Sequence, residues 1–221
     1  MINTLYDCFK HWSEKGSVYI FSDTHFEDFD CKLMDPDWIT PQEQIDIINK
    51  LVHKNDCLIL LGDVGDIEWI KKLKAGYKVL ITGNHDAGAE NYKRKIITKH
   101  IDPEFDCDYS LLEPKYYYEE NEVYDNHLFD EVYTGPLMIS DKIILSHEPI
   151  PNINWALNIC GHDHSASCND KYHYCVCSNT INYTPVNLKD IINSGILNRI
   201  DSLHRITIDN ATKHPMHKKR K

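Results

Sequence analysis

Apolar and polar positions in the first half of the chain fall into two alternating patterns. Val18–Ser22, Cys57–Leu61 and Lys78–Thr82 are short apolar runs that end in small or polar residues, as buried strands do. After the first run, Thr40-Pro41-Gln42-Glu43 combines a capping-box pattern with proline at the first helical position, and Ile45, Ile48 and Val52 follow at helical spacing. A helix over 41–54 is predicted. After the second run, Ile67, Ile70 and Leu73 predict a shorter helix over 67–75, with Gly76 placed to end it. The first half is therefore expected to be β-α-β-α-β.

The stretch from Asp102 to Asp130 is acidic, rich in tyrosine and without regular period. Beyond it, closely spaced strands are expected around Val132, Leu137, Ile143 to Leu145 and Leu157 to Cys160, pairing antiparallel in succession. No internal repeat is visible. Residues 1–213 are expected to form one domain, and 214–221, which contain Lys218-Lys219-Arg220-Lys221, a disordered basic tail.

Composition narrows the partners. The chain has 221 residues, 42% of them hydrophobic, enough for a buried core. Its 34 acidic against 24 basic residues give a formal charge of -10, which disfavours long nucleic acids and anionic membranes. No run approaches a membrane span and the N-terminus lacks a signal-peptide pattern. With the eight cysteines taken as reduced thiols, a cytoplasmic protein is expected.

The chemistry lies where the expected strands stop. Asp23-Thr24-His25, Gly62-Asp63, Gly83-Asn84-His85-Asp86, Ser146-His147 and Gly161-His162-Asp163-His164 all sit at such ends. In an open α/β sheet, ligands collect beyond the carboxyl ends of the strands, so distant residues can converge there. In extended chain, residues i and i+2 share a face; Asp23 and His25 are then expected to share one ion, and His162 and His164 to face together with Asp163 turned away. Imidazole, carboxylate and amide donors without cysteine suit manganese, iron, zinc or nickel. The donors are too many for one ion, so two sharing a carboxylate is the economical arrangement.

The motifs D-x-H, G-D-x-x-D, G-N-H-D, S-H and G-H-x-H, in this order from Val18 to His164, resemble the calcineurin-like metallophosphoesterases. Asn182-Tyr183-Thr184-Pro185-Val186 is similar to the region after the last motif in small bacterial and phage members. The resemblance implies an α/β (α+β) fold, a central two-sheet β-sandwich flanked by helices. It also implies that Asp23, His25 and His164 hold one divalent ion, that Asn84, His147 and His162 hold the other, and that Asp63 bridges them. Manganese is the first expectation, with iron, zinc, nickel and cobalt as alternatives. His85 would stand beside the leaving oxygen and Asp66 would orient it. Asp86 stands where many relatives carry glutamate.

Hydrolysis of a phosphodiester by metal-bound hydroxide is the expected reaction, on a small phosphate ester such as a small or cyclic nucleotide. Phosphomonoesterase or protein-phosphatase activity, and a metal-binding protein-interaction scaffold, are the alternatives. Oligomeric state is open.

Other residues carry blander expectations. His100, His127 and His173 have no motif around them. Cys175-x-Cys177, with Cys168 and His173, lacks the second pair of a zinc site and is taken as a strand with its thiols on one face. Cys57 and Cys160 are expected in the core. Tyr116 to Tyr118 is expected to pack as a strand or flap rather than stack bases.

Overall fold

Each early apolar run becomes a strand: β1 (Val18–Phe21), β2 (Cys57–Leu60) and β3 (Tyr77–Ile81), in a computed structural model that describes residues 7–86, 98–101, 116–119 and 128–202. Between β1 and β2 lie a short α1 (Cys31–Met34) and α2 (Pro41–Leu51). The capping box of α2 forms as expected: the Thr40 hydroxyl accepts from Glu43 N, and Thr40 N donates to Glu43 Oε2 at 2.8 Å. The predicted second helix is a single 3-10 segment, Ile67–Lys72, ended by Leu73.

A hairpin of β4 (Thr98–Ile101) and β5 (Tyr116–Glu119) follows, so Tyr116 to Tyr118 is indeed a strand. The remaining strands are β6 (Glu131–Tyr133), β7 (Leu137–Ser140), β8 (Ile143–Ser146), β9 (Leu157–Cys160), β10 (His173–Cys175) and β11 (Val186–Asn187), and α3 (Leu188–Asn193) comes last. His127, most of the 102–130 stretch and the basic tail lie outside the described residues.

Two sheets carry the fold, in the orders β11-β1-β2-β3-β6 and β10-β9-β8-β7. The expected succession of antiparallel strands is not what forms. β6 joins the first sheet parallel to β3, and β8, β9 and β10 run parallel; only β7 and β8, joined by Asp141-Lys142, are antiparallel in the second sheet. A two-residue link can only turn the chain back, whereas 147–156 and 161–172 are long enough to return it to its starting edge. Parallel pairing brings the ends of β8 and β9 to the rim where β1, β2 and β3 end.

Alternation along the strands assigns two cores. Val18, Ile20, Cys57, Ile59, Val79 and Ile81 face Ile139, Ile143, Leu145, Leu157 and Ile159 across the sandwich. The opposite face of the first sheet, with Phe21, Leu58, Leu60 and Leu80, is covered by Ile45 and Ile48 of α2 and by Ile70. Cys57 and Cys160 are buried, as expected. Among the described residues no helix is long and apolar enough to cross a membrane.

Candidate metal centre

The loops leaving β1 and β2 are laced together by their backbones: Asp23 N, His25 N and Phe26 N donate to Gly62 O, Asp63 O and Val64 O at 2.9–3.0 Å. Side chains reinforce the seam. Thr24 Oγ1 donates to Val64 O, Ser22 Oγ to Leu61 O, and the buried Gln44 amide of α2 to Thr24 O. Asp86 performs the same task for the β3 loop, its Oδ2 accepting from Asp63 N and Gly83 N and its Oδ1 from Val64 N. Burial acts to raise the pKa of Asp86 and outweighs those hydrogen bonds.

Backbone conformation differs from the extended form assumed from sequence. Asp23, His25, Asp63 and His162 have φ of +56°, +41°, +51° and +65°, a region that costs non-glycine residues about 1–3 kcal/mol each. These turns, not alternation, aim the side chains. His162 consequently points to His147 while His164 points to Asp23, so the two do not face together. Glycine is needed at 161, where a Cβ would stand 2.0 Å from Ser22 Oγ and 2.4 Å from Asp23 Oδ2.

The donors gather in two groups that meet at Asp63. His147 Nε2 lies 2.9 Å from Asn84 Oδ1, 3.2 Å from His162 Nδ1 and 3.3 Å from Asp63 Oδ2. The same Asp63 oxygen is 3.7 Å from His25 Nε2, and Asp23 Oδ1 is 3.9 Å from His25 Nε2 and 3.5 Å from His164 Nε2. Asp23 Oδ1 and His25 Nε2 are buried with no hydrogen-bond partner. Such orphans are costly unless a further charge satisfies them, and a cation between them does so.

Hydrogen bonds on the outer side of three of the imidazoles choose the inward atom. His25 Nδ1 pairs with Asp28 Oδ2 at 3.1 Å, His147 Nδ1 with Leu61 O at 2.7 Å, and His164 Nδ1 with Asn179 Oδ1 at 3.3 Å, leaving each Nε2 facing the centre. Without a cation the carboxylates perturb these rings unequally. Burial lowers the pKa of His25 despite Asp23 and Asp63. Burial also acts to lower that of His147, but the Asp63 hydrogen bond and the charges of Asp23 and Asp63 raise it to about 9. The difference follows from distance, since both nitrogens of His147 lie within hydrogen-bond reach of acceptors whereas Nε2 of His25 has no hydrogen-bond partner, its nearest carboxylate oxygens standing 3.7 and 3.9 Å away.

A profile of the calcineurin-like phosphoesterases matches residues 16–174, most of the chain. The chain belongs to the calcineurin-like phosphoesterase family. It is therefore a metal-dependent phosphoric ester hydrolase. The crystal structure of a protein of unknown function from Aquifex aeolicus superposes with a TM-score of 0.53 at 21% identity, covering 80% of this chain and 98% of that one, a likeness of fold. None of the curated proteins compared with the chain matches it.

Calcineurin-like phosphoesterases use divalent metals, and the donors brought together here fit such ions: oxygen and imidazole atoms in overlapping groups such as Asp23, His25 and Asp63 or Asp63, His147 and His162. His85 is exposed at the rim, its N–H donating to Asp63 Oδ1 at 2.8 Å and its ring 5.4 Å from that of His25. The implied link between Asp66 and His85 does not form. Asp66 is exposed and caps the 3-10 segment, Oδ1 accepting from Glu68 N at 3.0 Å, because the chain turns away immediately after Gly65.

Asp163 does point away from the centre, binding Ser165, Ser167 and Cys168 in its own loop. His173 is structural, bridging Asp170 and Ile150 O. The side chain of His100 lies outside the described residues. Sequence reasoning missed Asp28, Asn179 and Cys177, whose Sγ donates to Asp23 Oδ2. Of these only Asp28, three residues after His25, carried a local signal.

Proposed function

We propose that the protein is a phosphodiesterase acting on a compact ester, with a small or cyclic nucleotide as the leading candidate. The observation that carries this reading is the cleft of about 370 Å³ beside Asn84 and His147. Its walls are Ile81, Thr82 and Gly83 on one side, Thr134-Gly135-Pro136 on another and Glu148-Pro149-Ile150-Pro151 on the third. Among the described residues no lysine or arginine lines it, and Glu148 places a carboxylate at its edge. A diester monoanion fits such walls better than a dianionic monoester or a second phosphate.

Asp23, His25 and His164 would hold one ion and Asn84, His147 and His162 the other, with Asp63 reaching both. Divalent ions there, manganese first among them, would neutralise phosphoryl charge and lower the pKa of bound water. The two carboxylates only half cancel two such ions, so the centre is cationic in an acidic protein. His85, exposed beside this centre and anchored through its backbone to Asp63, would donate a proton to the leaving oxygen.

The test is hydrolysis of bis-p-nitrophenyl phosphate and p-nitrophenyl phosphate by manganese-loaded wild type, His85→Ala and Asp63→Ala. The diester should be cleaved faster. His85→Ala should lose about a hundredfold or more in turnover while keeping its metal, and Asp63→Ala should lose both. Preference for the monoester would replace this reading with phosphatase; bound metal without either activity would favour a scaffold.

A further inference from the structure

Cys177 lies outside the five strand-end motifs, yet its thiol is built into the centre. Sγ donates to Asp23 Oδ2 at 3.1 Å, and both side chains are fully buried. The same oxygen accepts from His162 N at 2.9 Å. Oδ1 is left without a protein donor and is the oxygen that faces the imidazoles of His25 and His164. The thiol is held in place by its own segment: Cys177 bridges to Ser22, Ser178 N donates to Ser22 O, and Ser178 Oγ donates to Asp23 O at 2.7 Å.

A carboxylate with one anchored oxygen still turns about its Cβ–Cγ bond. Two donors on the same oxygen, with Gly161 packed against it, remove that freedom and decide which oxygen is presented. We propose that Cys177 is a positioning residue of the metal centre, its S–H fixing Asp23 so that Oδ1 alone is offered to the ion shared with His25 and His164. The inference rests on reading Asp23 as a ligand. Direct ligation by the sulfur is the rival: Asp23, His164 and Cys177 present ligand atoms within 4.8 Å of one another. A thiolate would stand against the Asp23 carboxylate as a like charge at hydrogen-bond distance, whereas a thiol stands there as a donor.

The experiment strips the full chain with a chelator and measures manganese affinity by competition with a metal-sensitive dye, for wild type, Cys177→Ala, Cys177→Ser and Asp23→Ala. Thermal melts of the stripped proteins control for folding, and Cys177→Val against Cys177→Thr repeats the comparison should the smaller variants fold poorly. Cys177→Ala should weaken one of the binding steps by about 10- to 100-fold, and Cys177→Ser, whose hydroxyl can reach the same oxygen, should recover most of it. Unchanged affinity in folded Cys177→Ala, with binding lost in Asp23→Ala, would overturn the role of Cys177 alone. Unchanged affinity in Asp23→Ala would remove the ligand reading and this inference together. A thiolate-to-metal charge-transfer band in the cobalt-loaded wild type, absent from Cys177→Ser, would make Cys177 a ligand and overturn positioning.

Discussion

His162 combines a left-handed backbone, φ +65°, with an exposed imidazole, so its conformation is maintained for the ring and not for packing. Replacing it by glycine should relieve the strain. We expect His162→Gly to stabilise the metal-stripped protein by about 1 kcal/mol while weakening metal binding, with chemical denaturation in chelator as the check. A stripped variant no more stable than wild type would mean that this turn is unstrained. At this scale the residues that gather at the centre were legible, because Asp23, His25, Asp63, Asn84, His147, His162 and His164 sit in recognisable motifs. Their supports were not: Asn179 and Cys177 meet His164 and Asp23 only through the tertiary fold, and Asp86, though part of a motif, shows its task only once three backbone N–H groups are found around it.

Elements followed the sequence where the signal was local and departed from it where length or space decided. The capping box of α2 formed around Thr40 and Glu43 because every atom it needs lies within one turn. Gly76 was expected to end a helix, but the preceding 3-10 segment already ends at Leu73, and the reason for glycine is elsewhere. A Cβ at Gly76 would stand 1.9 Å from Lys54 O, where the loop after α2 crosses the start of β3. Backbone on both sides cannot yield as a side chain would. Gly76→Ala should therefore cost about 2–3 kcal/mol, seen as a lower denaturation midpoint with unchanged slope; an unshifted midpoint would show that the crossing is loose. Strand direction in the second sheet was misjudged for a related reason, since periodicity reports which face a strand buries and is silent on whether the next one runs up or down.

Across the whole molecule, one buried carboxylate ties the N-terminal 3-10 segment Asp7–Ser13 to the edge of the first sheet. Glu131 of β6 accepts from His11 Nε2, from Trp12 Nε1 at 3.0 Å, from Tyr77 OH at 2.6 Å and from Tyr133 OH. Burial acts to raise its pKa, but the four donors, His11 first, hold it below the ordinary value of 4.5. A depressed carboxylate stabilises the fold fully above its unfolded pKa and loses that contribution as pH falls through its folded one. The melting-temperature advantage of wild type over Glu131→Gln should thus persist at neutral pH and shrink below about pH 4.5; a difference independent of pH would assign the knot to packing. Parallel strands have a last consequence at this scale. Asp63 leaves the first sheet and His147 and His162 leave the second, so a cation held among them would act as a clasp on one lip of the sandwich. Chelation would then let that lip open, and the fold would gauge free metal, gaining about 1.4 kcal/mol per tenfold rise above the dissociation constant of each ion.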